Sequence, residues 1–317
     1  MDLAARPGQP GVCTRPHCHA PDTRCLLGLD ECEHFAPPIP PPAHGELGEG
    51  HTLPWSGLAL GTSDLSRIAA LGRVRVLATV GAANAGKTTL LAAHWVALRR
   101  GIGAFSAQFA GSYSMTGWHQ IARHLQLVPY GRMFPPHTTA PDKRSPALLH
   151  VATTAGRADR THLLYTDAPG EWFSEWAADR DRAPGAEWIA KVADAFIILA
   201  DSEALSGADR GAARGEYDML AHRLASTAGG RPVIPVQTKA DLSIPPAIQG
   251  FLDSTNRRLF STDTLRVSAR SDGQVTITEP IDRGLQAALT PRHARSDHAS
   301  VSWARQLAPS LRRGSRR

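Results

Sequence analysis

The sequence predicts an α/β fold: a mostly parallel sheet with helices on both faces. Two patterns predict it. Seven short apolar runs are spaced through residues 57–290, at 74–80, 104–110, 147–154, 161–167, 195–201, 232–238 and 264–269. Amphipathic stretches follow several of them: "KTTLLAAHWVALRR", "GWHQIARHLQ", "GEYDMLAHRLAS" and "AIQGFLDSTNRRL". Strands that alternate with helices make parallel units, and a continuously apolar run such as "AFIILA" suits a strand covered on both faces. One pair departs from the pattern. Only "AGRADR" joins the runs at 147–154 and 161–167. That link is too short for a parallel crossover, so these two strands are predicted to be antiparallel neighbours.

Composition divides the 317 residues into four parts. Residues 1–35 hold all four cysteines, Cys13, Cys18, Cys25 and Cys32, with His17, His19 and His34 among them. Clustered cysteines in a chain without an apolar export signal argue for metal over disulfides. A small structural Zn²⁺ module is therefore predicted, held by the four thiolates or with histidine substituting. Residues 36–56 are rich in Pro and Gly and read as an extended spacer. Residues 57–290 form the α/β domain. Residues 291–317 carry seven arginines and one acid, which accounts for the whole net charge of +6 and leaves the rest neutral. Charge thus gives the body no nucleic-acid role; only the Arg-rich tail, which reads as disordered and solubilising, leaves room for one. No apolar run is long enough to span a bilayer, and a cytoplasmic protein is expected.

Between the first strand and the first of these helices lies Gly81-Ala-Ala-Asn84-Ala85-Gly86-Lys87-Thr88-Thr89, which fits G-x-x-x-x-G-K-[ST]. Glycines let the backbone curl with its N–H groups inward, and the following helix adds the positive end of its dipole. Lys87 then reaches the β- and γ-phosphates, and the Thr88 hydroxyl ligates Mg²⁺. Downstream, "LLYTDAPGEW" ends an apolar strand at Asp167, whose carboxylate suits the Mg²⁺ shell. Gly170 follows three residues on, where its N–H can meet a γ-phosphate. Further on, Thr238-Lys239-Ala-Asp241 closes the run at 232–238. A carboxylate there accepts from the N1–H and exocyclic amine of guanine, a donor pair that adenine lacks. Ser268 and Ala269 follow the last strand, where backbone can touch the guanine carbonyl.

These motifs, in this order, make residues 74–290 resemble the Ras-like, translation-factor-related class of P-loop GTPases. "FAGSYSMTGW", "MFPPHTT" and "YTDAPGEWFSEW" narrow the likeness to the bacterial double-GTPase group linked to conflict and defence systems. The resemblance implies a six-stranded sheet with one antiparallel strand, and Mg²⁺-dependent binding and hydrolysis of GTP to GDP. It also implies a protein partner, an effector or a second GTPase, at the switch regions. The 86 positions from Gly81 to Asp167 are long for such a protein and imply an insertion around the first switch. The switch threonine that ligates Mg²⁺ is then Thr138 or Thr139. Glu171 stands where many relatives place a water-orienting glutamine, and either serves catalysis or faces solvent. Arg180 and Arg182 read as a solvated charge cluster, with an internal arginine finger as the alternative. Trp172, Phe173 and Trp176 read as a buried helix face, with a partner surface as the alternative.

The function expected is a regulatory GTPase switch. Two alternatives stand beside it: a P-loop ATPase or kinase with a chance T-K-x-D, and a nucleotide-binding interaction protein with little hydrolysis.

Overall fold

The computed structural model describes residues 12–13, 35–36, 57–101, 108–126, 146–154, 160–270 and 277–290. The chain divides into two units, Met1–Thr52 and Leu53–Arg317. In the first, β1 (Val12–Cys13) pairs antiparallel with β2 (Phe35–Ala36). Cys18, Cys25 and Cys32 lie outside the described residues, and only the backbone of Cys13 is described. Among the described residues no cluster of His, Cys, Asp and Glu is arranged to hold a metal, so the structure lends the predicted zinc module no support.

The second unit opens with α1 (Leu65–Leu71) and continues into β3 (Arg73–Val80), α2 (Lys87–Arg99), β4 (Gln108–Gly111), α3 (Met115–Gln126), β5 (Leu148–Thr154) and β6 (Arg160–Thr166). It goes on through α4 (Gly170–Ala178), α5 (Pro184–Val192), β7 (Ala195–Asp201), α6 (Ser202–Ser206) and α7 (Arg210–Ala228). It closes with β8 (Val233–Thr238), α8 (Pro246–Phe260), β9 (Leu265–Arg266) and α9 (Glu279–Leu289). The strands form one sheet in the order β4-β5-β6-β3-β7-β8-β9. β3 pairs parallel with β6 and β7, and β8 pairs parallel with β7 and β9. β5 is antiparallel to both its neighbours, with Leu148 opposite Thr166, as the short connection to β6 requires.

The sheet has seven strands where the family likeness implies six. The extra strand is β4, at the edge beyond β5, in the stretch where the long interval between Gly81 and Asp167 calls for an insertion. The run predicted at 264–269 shrinks to the two residues of β9. β7 is buried at every residue, as its unbroken apolar run requires. One core packs α1, α4, α5, α7 and α8 against the sheet. The other packs α2, α3 and α9 against it and includes Leu77, Ile197 and Val236.

This arrangement aligns the carboxyl ends of β3, β6, β7 and β8. Gly81, Asp167, Asp201 and Thr238 all sit at or just past those ends, at the same edge of the sheet. Ligands of open α/β sheets bind in this position.

Candidate functional site

The loop after β3 curls because two of its residues take left-handed backbone conformations: Asn84 at φ 61° and Gly86 at φ 86°. Gly86 caps α2, and its carbonyl accepts from the Leu90 N–H at 2.9 Å. Gly81 faces Leu199 so closely that a Cβ there would lie 3.1 Å from the leucine Cβ. The Lys87 ammonium folds back over the loop and donates to the carbonyls of Gly81 (3.0 Å) and Ala82 (2.8 Å). Burial pulls its pKa down to about 8, against the attraction of Asp167, Glu171 and Glu216. A desolvated cation at the positive end of α2 is poised for an anion.

Thr88 donates from Oγ1 toward both carboxylate oxygens of Asp167, at 2.9 and 3.2 Å. The sequence separates these residues by 79 positions; the parallel pairing of β3 with β6 brings them together. A hydroxyl and a carboxylate at this spacing form a hard oxygen donor pair, which fits Mg²⁺. Gly170 packs directly on the loop, since a Cβ there would collide with backbone atoms of Ala82 and Ala83. Glu171, in the first turn of α4, is exposed.

Across the cleft, Thr238 Oγ1 bridges the carbonyls of Ala85 (3.0 Å) and Ala200 (3.2 Å), tying the end of β8 to the loop after β3. Lys239 takes a left-handed conformation (φ 51°), and its ammonium sits between Asp201 (2.8 Å) and Glu203 (2.7 Å). Burial acts to lower its pKa, but the two carboxylates outweigh it and hold the value above that of an ordinary lysine. Ser268 donates to Asp241 at 2.5 Å, and its oxygen accepts from the Arg270 N–H at 3.0 Å. The Ser268 side chain thus orients the carboxylate, whereas the sequence suggested only a backbone role for this loop.

A cleft of about 1410 Å³ joins these parts. Asn84, Gly86, Lys87, Thr88 and Thr89 line its floor, with Gly170 and Glu171 on one side and Thr238, Lys239, Asp241 and Ala269 at the other end. Gly81, Ala85, Asp167 and Ser268 are buried behind that surface. A family model described as Double-GTPase 2 matches residues 75–290. The chain belongs to the Double-GTPase 2 family. No curated protein matches its sequence.

In this double-GTPase chain, Thr138 and Thr139 fall outside the described residues. Trp172, Phe173 and Trp176 are buried in the core and hold α4 down, as the buried-face reading expects. Arg180 is bound to Glu187 at 2.6 Å, which also accepts from Trp176 Nε1 at 2.8 Å. Sequence reasoning missed Asp201 and Glu203. Their signal was present: "AFIILADSE" ends an apolar strand on an acid, as "LLYTD" does at Asp167.

Proposed function

We propose that this double-GTPase binds GTP with Mg²⁺, hydrolyses it, and serves as a regulatory switch in a bacterial conflict or defence system. One observation carries the reading: the T-K-x-D turn and the phosphate-type loop are bonded to each other and share one cleft, through Thr238 Oγ1 and the Ala85 carbonyl. A base held at Asp241 therefore belongs to a nucleotide whose phosphates lie over Lys87. Asp241, oriented by Ser268, accepts the guanine N1–H and exocyclic amine. Lys239, fixed by Asp201 and Glu203, lays its stem along the base. The loop N–H groups, the α2 N-terminus and Lys87 hold the phosphates.

Thr88 and Asp167 would hold the Mg²⁺, which neutralises charge on the β- and γ-phosphates when bound. Gly170 brings its backbone to the γ end of the loop, and Glu171 stands beside it to position water. The partner is a protein effector or a second GTPase at the switch regions; the neutral body argues against nucleic acid except at the Arg-rich tail. The defence role is supported by family likeness alone, and the Zn²⁺ module rests on cysteine spacing.

Competition of unlabelled GTP, GDP, ATP and ADP against a fluorescent guanine nucleotide, with Mg²⁺ and the full chain, tests this reading. Displacement by guanine nucleotides at concentrations far below those of adenine nucleotides is expected. Equal displacement by ATP would return the site to an ATPase or kinase.

A further inference from the structure

The α4 side of the cleft carries a cation that the nucleotide-binding motifs do not use. We propose that Arg182 is an arginine finger supplied in cis, reaching the γ-phosphate from the turn between α4 and α5. This rests on the GTP-hydrolysis reading above.

The chain geometry brings Arg182 to the right end of the site. α4 leaves the phosphate loop at Gly170 and runs away from it. The chain then doubles back, because Gly185 in α5 is pressed against the ring of Trp172, only two residues past Gly170. Residues 182–184 thus return to the level of the first turn of α4, and Arg182 lines the same cleft as Thr88, Gly170 and Glu171.

The two arginines of this turn differ in commitment. Arg180 is bound to Glu187 through two nitrogens, at 2.6 and 3.3 Å, and Glu187 also takes Trp176 and Lys191. That network fixes the turn to both helices. Arg182 is 75% exposed, and its ion pair with Asp179 is long (3.5 Å) and solvated. Such a pair is worth little and exchanges readily for a phosphate. The other Lys and Arg side chains lining the cleft are placed elsewhere. Lys87 covers the loop, Lys239 is held by Asp201 and Glu203, and Arg270 adjoins Ser268 at the base end. Among the described cations that line the cleft, Arg182 is the one on the segment packed against the first turn of α4.

In the step itself, a water oxygen bonds to the γ-phosphorus while the bond from phosphorus to the β–γ bridging oxygen breaks. The electron pair leaves with GDP, and the water protons pass to phosphate and solvent. The Arg182 guanidinium donates N–H bonds to the charge gathering on the bridging and γ oxygens, an interaction that strengthens only as that charge develops.

The test uses the full chain and the variants Arg182→Ala and Arg182→Lys. Being exposed, the side chain can be removed without loss of fold, which circular dichroism checks. GTP and GDP affinities within twofold of wild type are expected, with single-turnover GTP hydrolysis slowed at least about 100-fold. Trapping of GDP with aluminium fluoride, which mimics the transferring phosphoryl group, is expected in the wild type and lost in both variants. Lysine should not rescue, because a point charge lacks the planar fork. Hydrolysis and trapping equal in an active wild type and Arg182→Ala would overturn the proposal. A wild type that binds no guanine nucleotide, or binds GTP without hydrolysing it, would instead overturn the reading beneath it, and the proposal with it.

Discussion

Replacing Gly170 by alanine perturbs the point where α4 meets the phosphate loop. The added Cβ would sit 2.1 Å from the Ala83 nitrogen, about 1.3 Å short of the 3.4 Å at which ordinary contact begins. Its nearest neighbours are backbone atoms of Ala82 and Ala83, so no side chain can rotate away. Either α4 or the loop must move. α4 buries Trp172, Phe173 and Trp176, at 6%, 0% and 0% exposure. Burial of three such rings contributes on the order of 10 kcal/mol. The loop is held in place by the Lys87 bonds to Gly81 and Ala82, each worth about 1.5–3 kcal/mol, and by the Thr238 bond to Ala85, worth about 0.5–1.5 kcal/mol. The loop therefore yields, and it yields at its γ end.

Overpacking of this kind costs about 1–3 kcal/mol of stability, and a shift of about 1 Å at the reacting centre costs about 100-fold in rate. For Gly170→Ala we expect a lowered melting temperature and GTP affinity reduced more than GDP affinity. Single-turnover hydrolysis should fall about 100-fold. Thermal melts, paired titrations with labelled GTP and GDP, and a rapid-quench assay measure the three effects. GTP affinity and hydrolysis within twofold of wild type would refute the reasoning, because the loop would then have absorbed the methyl group without consequence.

Two further predictions follow from buried titratable groups. At pH 8 about half of Lys87 is neutral, and bound phosphate restores its proton, so GDP binding should take up about half a proton at pH 8 and almost none at pH 6.5. Calorimetry in HEPES and Tris, whose ionisation heats differ, reads this directly; equal uptake at both pH values would contradict it. His94 and His150 are buried, and burial lowers their pKa values to about 4 and about 3, with His162 adding to the effect at His150. The unfolded chain binds protons below pH 6.5 that these folded histidines refuse. Stability should therefore fall as pH drops from 6.5 toward 4, by about 2.5 kcal/mol per pH unit near pH 5.5 from this pair. Urea unfolding at pH 6.5, 5.5 and 4.5 measures it, and a flat profile would rule it out.

The parts of the site that are local in sequence were legible before the fold. A glycine-bounded loop between an apolar strand and a helix announces itself, because its backbone and its lysine lie within eight residues. Asp167 and Asp241 were legible because each closes or follows an apolar strand, and parallel sheets bring such ends together. That α4 buries Trp172, Phe173 and Trp176 was legible, but what they pack against was not. Trp172 against Gly185, and Trp176 with Arg180 on Glu187, are contacts between helices too short for periodicity to reveal. The sequence therefore left Arg180 and Arg182 as equivalent neighbours, and packing alone separates them. Ser268 shows a related limit. Its position after a strand was visible, but the bond from its hydroxyl to Asp241 depends on the register of β9 against β8. The edge strand β4 was legible as the apolar run at 104–110, and only the family likeness, with its six strands, left it out.

The most direct test of guanine recognition is the exchange of one atom type at Asp241. Asp241→Asn replaces a carboxylate oxygen with an amide, so the side chain offers a donor where guanine also donates and xanthine accepts. Competition titrations with Mg²⁺ on the parent and the variant, using GTP, ATP and xanthosine triphosphate, measure the effect. Strong GTP preference in the parent, moved to xanthosine triphosphate in the variant, is the expected result. ATP binding as tight as GTP in the parent, and unchanged in the variant, would contradict the assignment of this cleft to a guanine nucleotide.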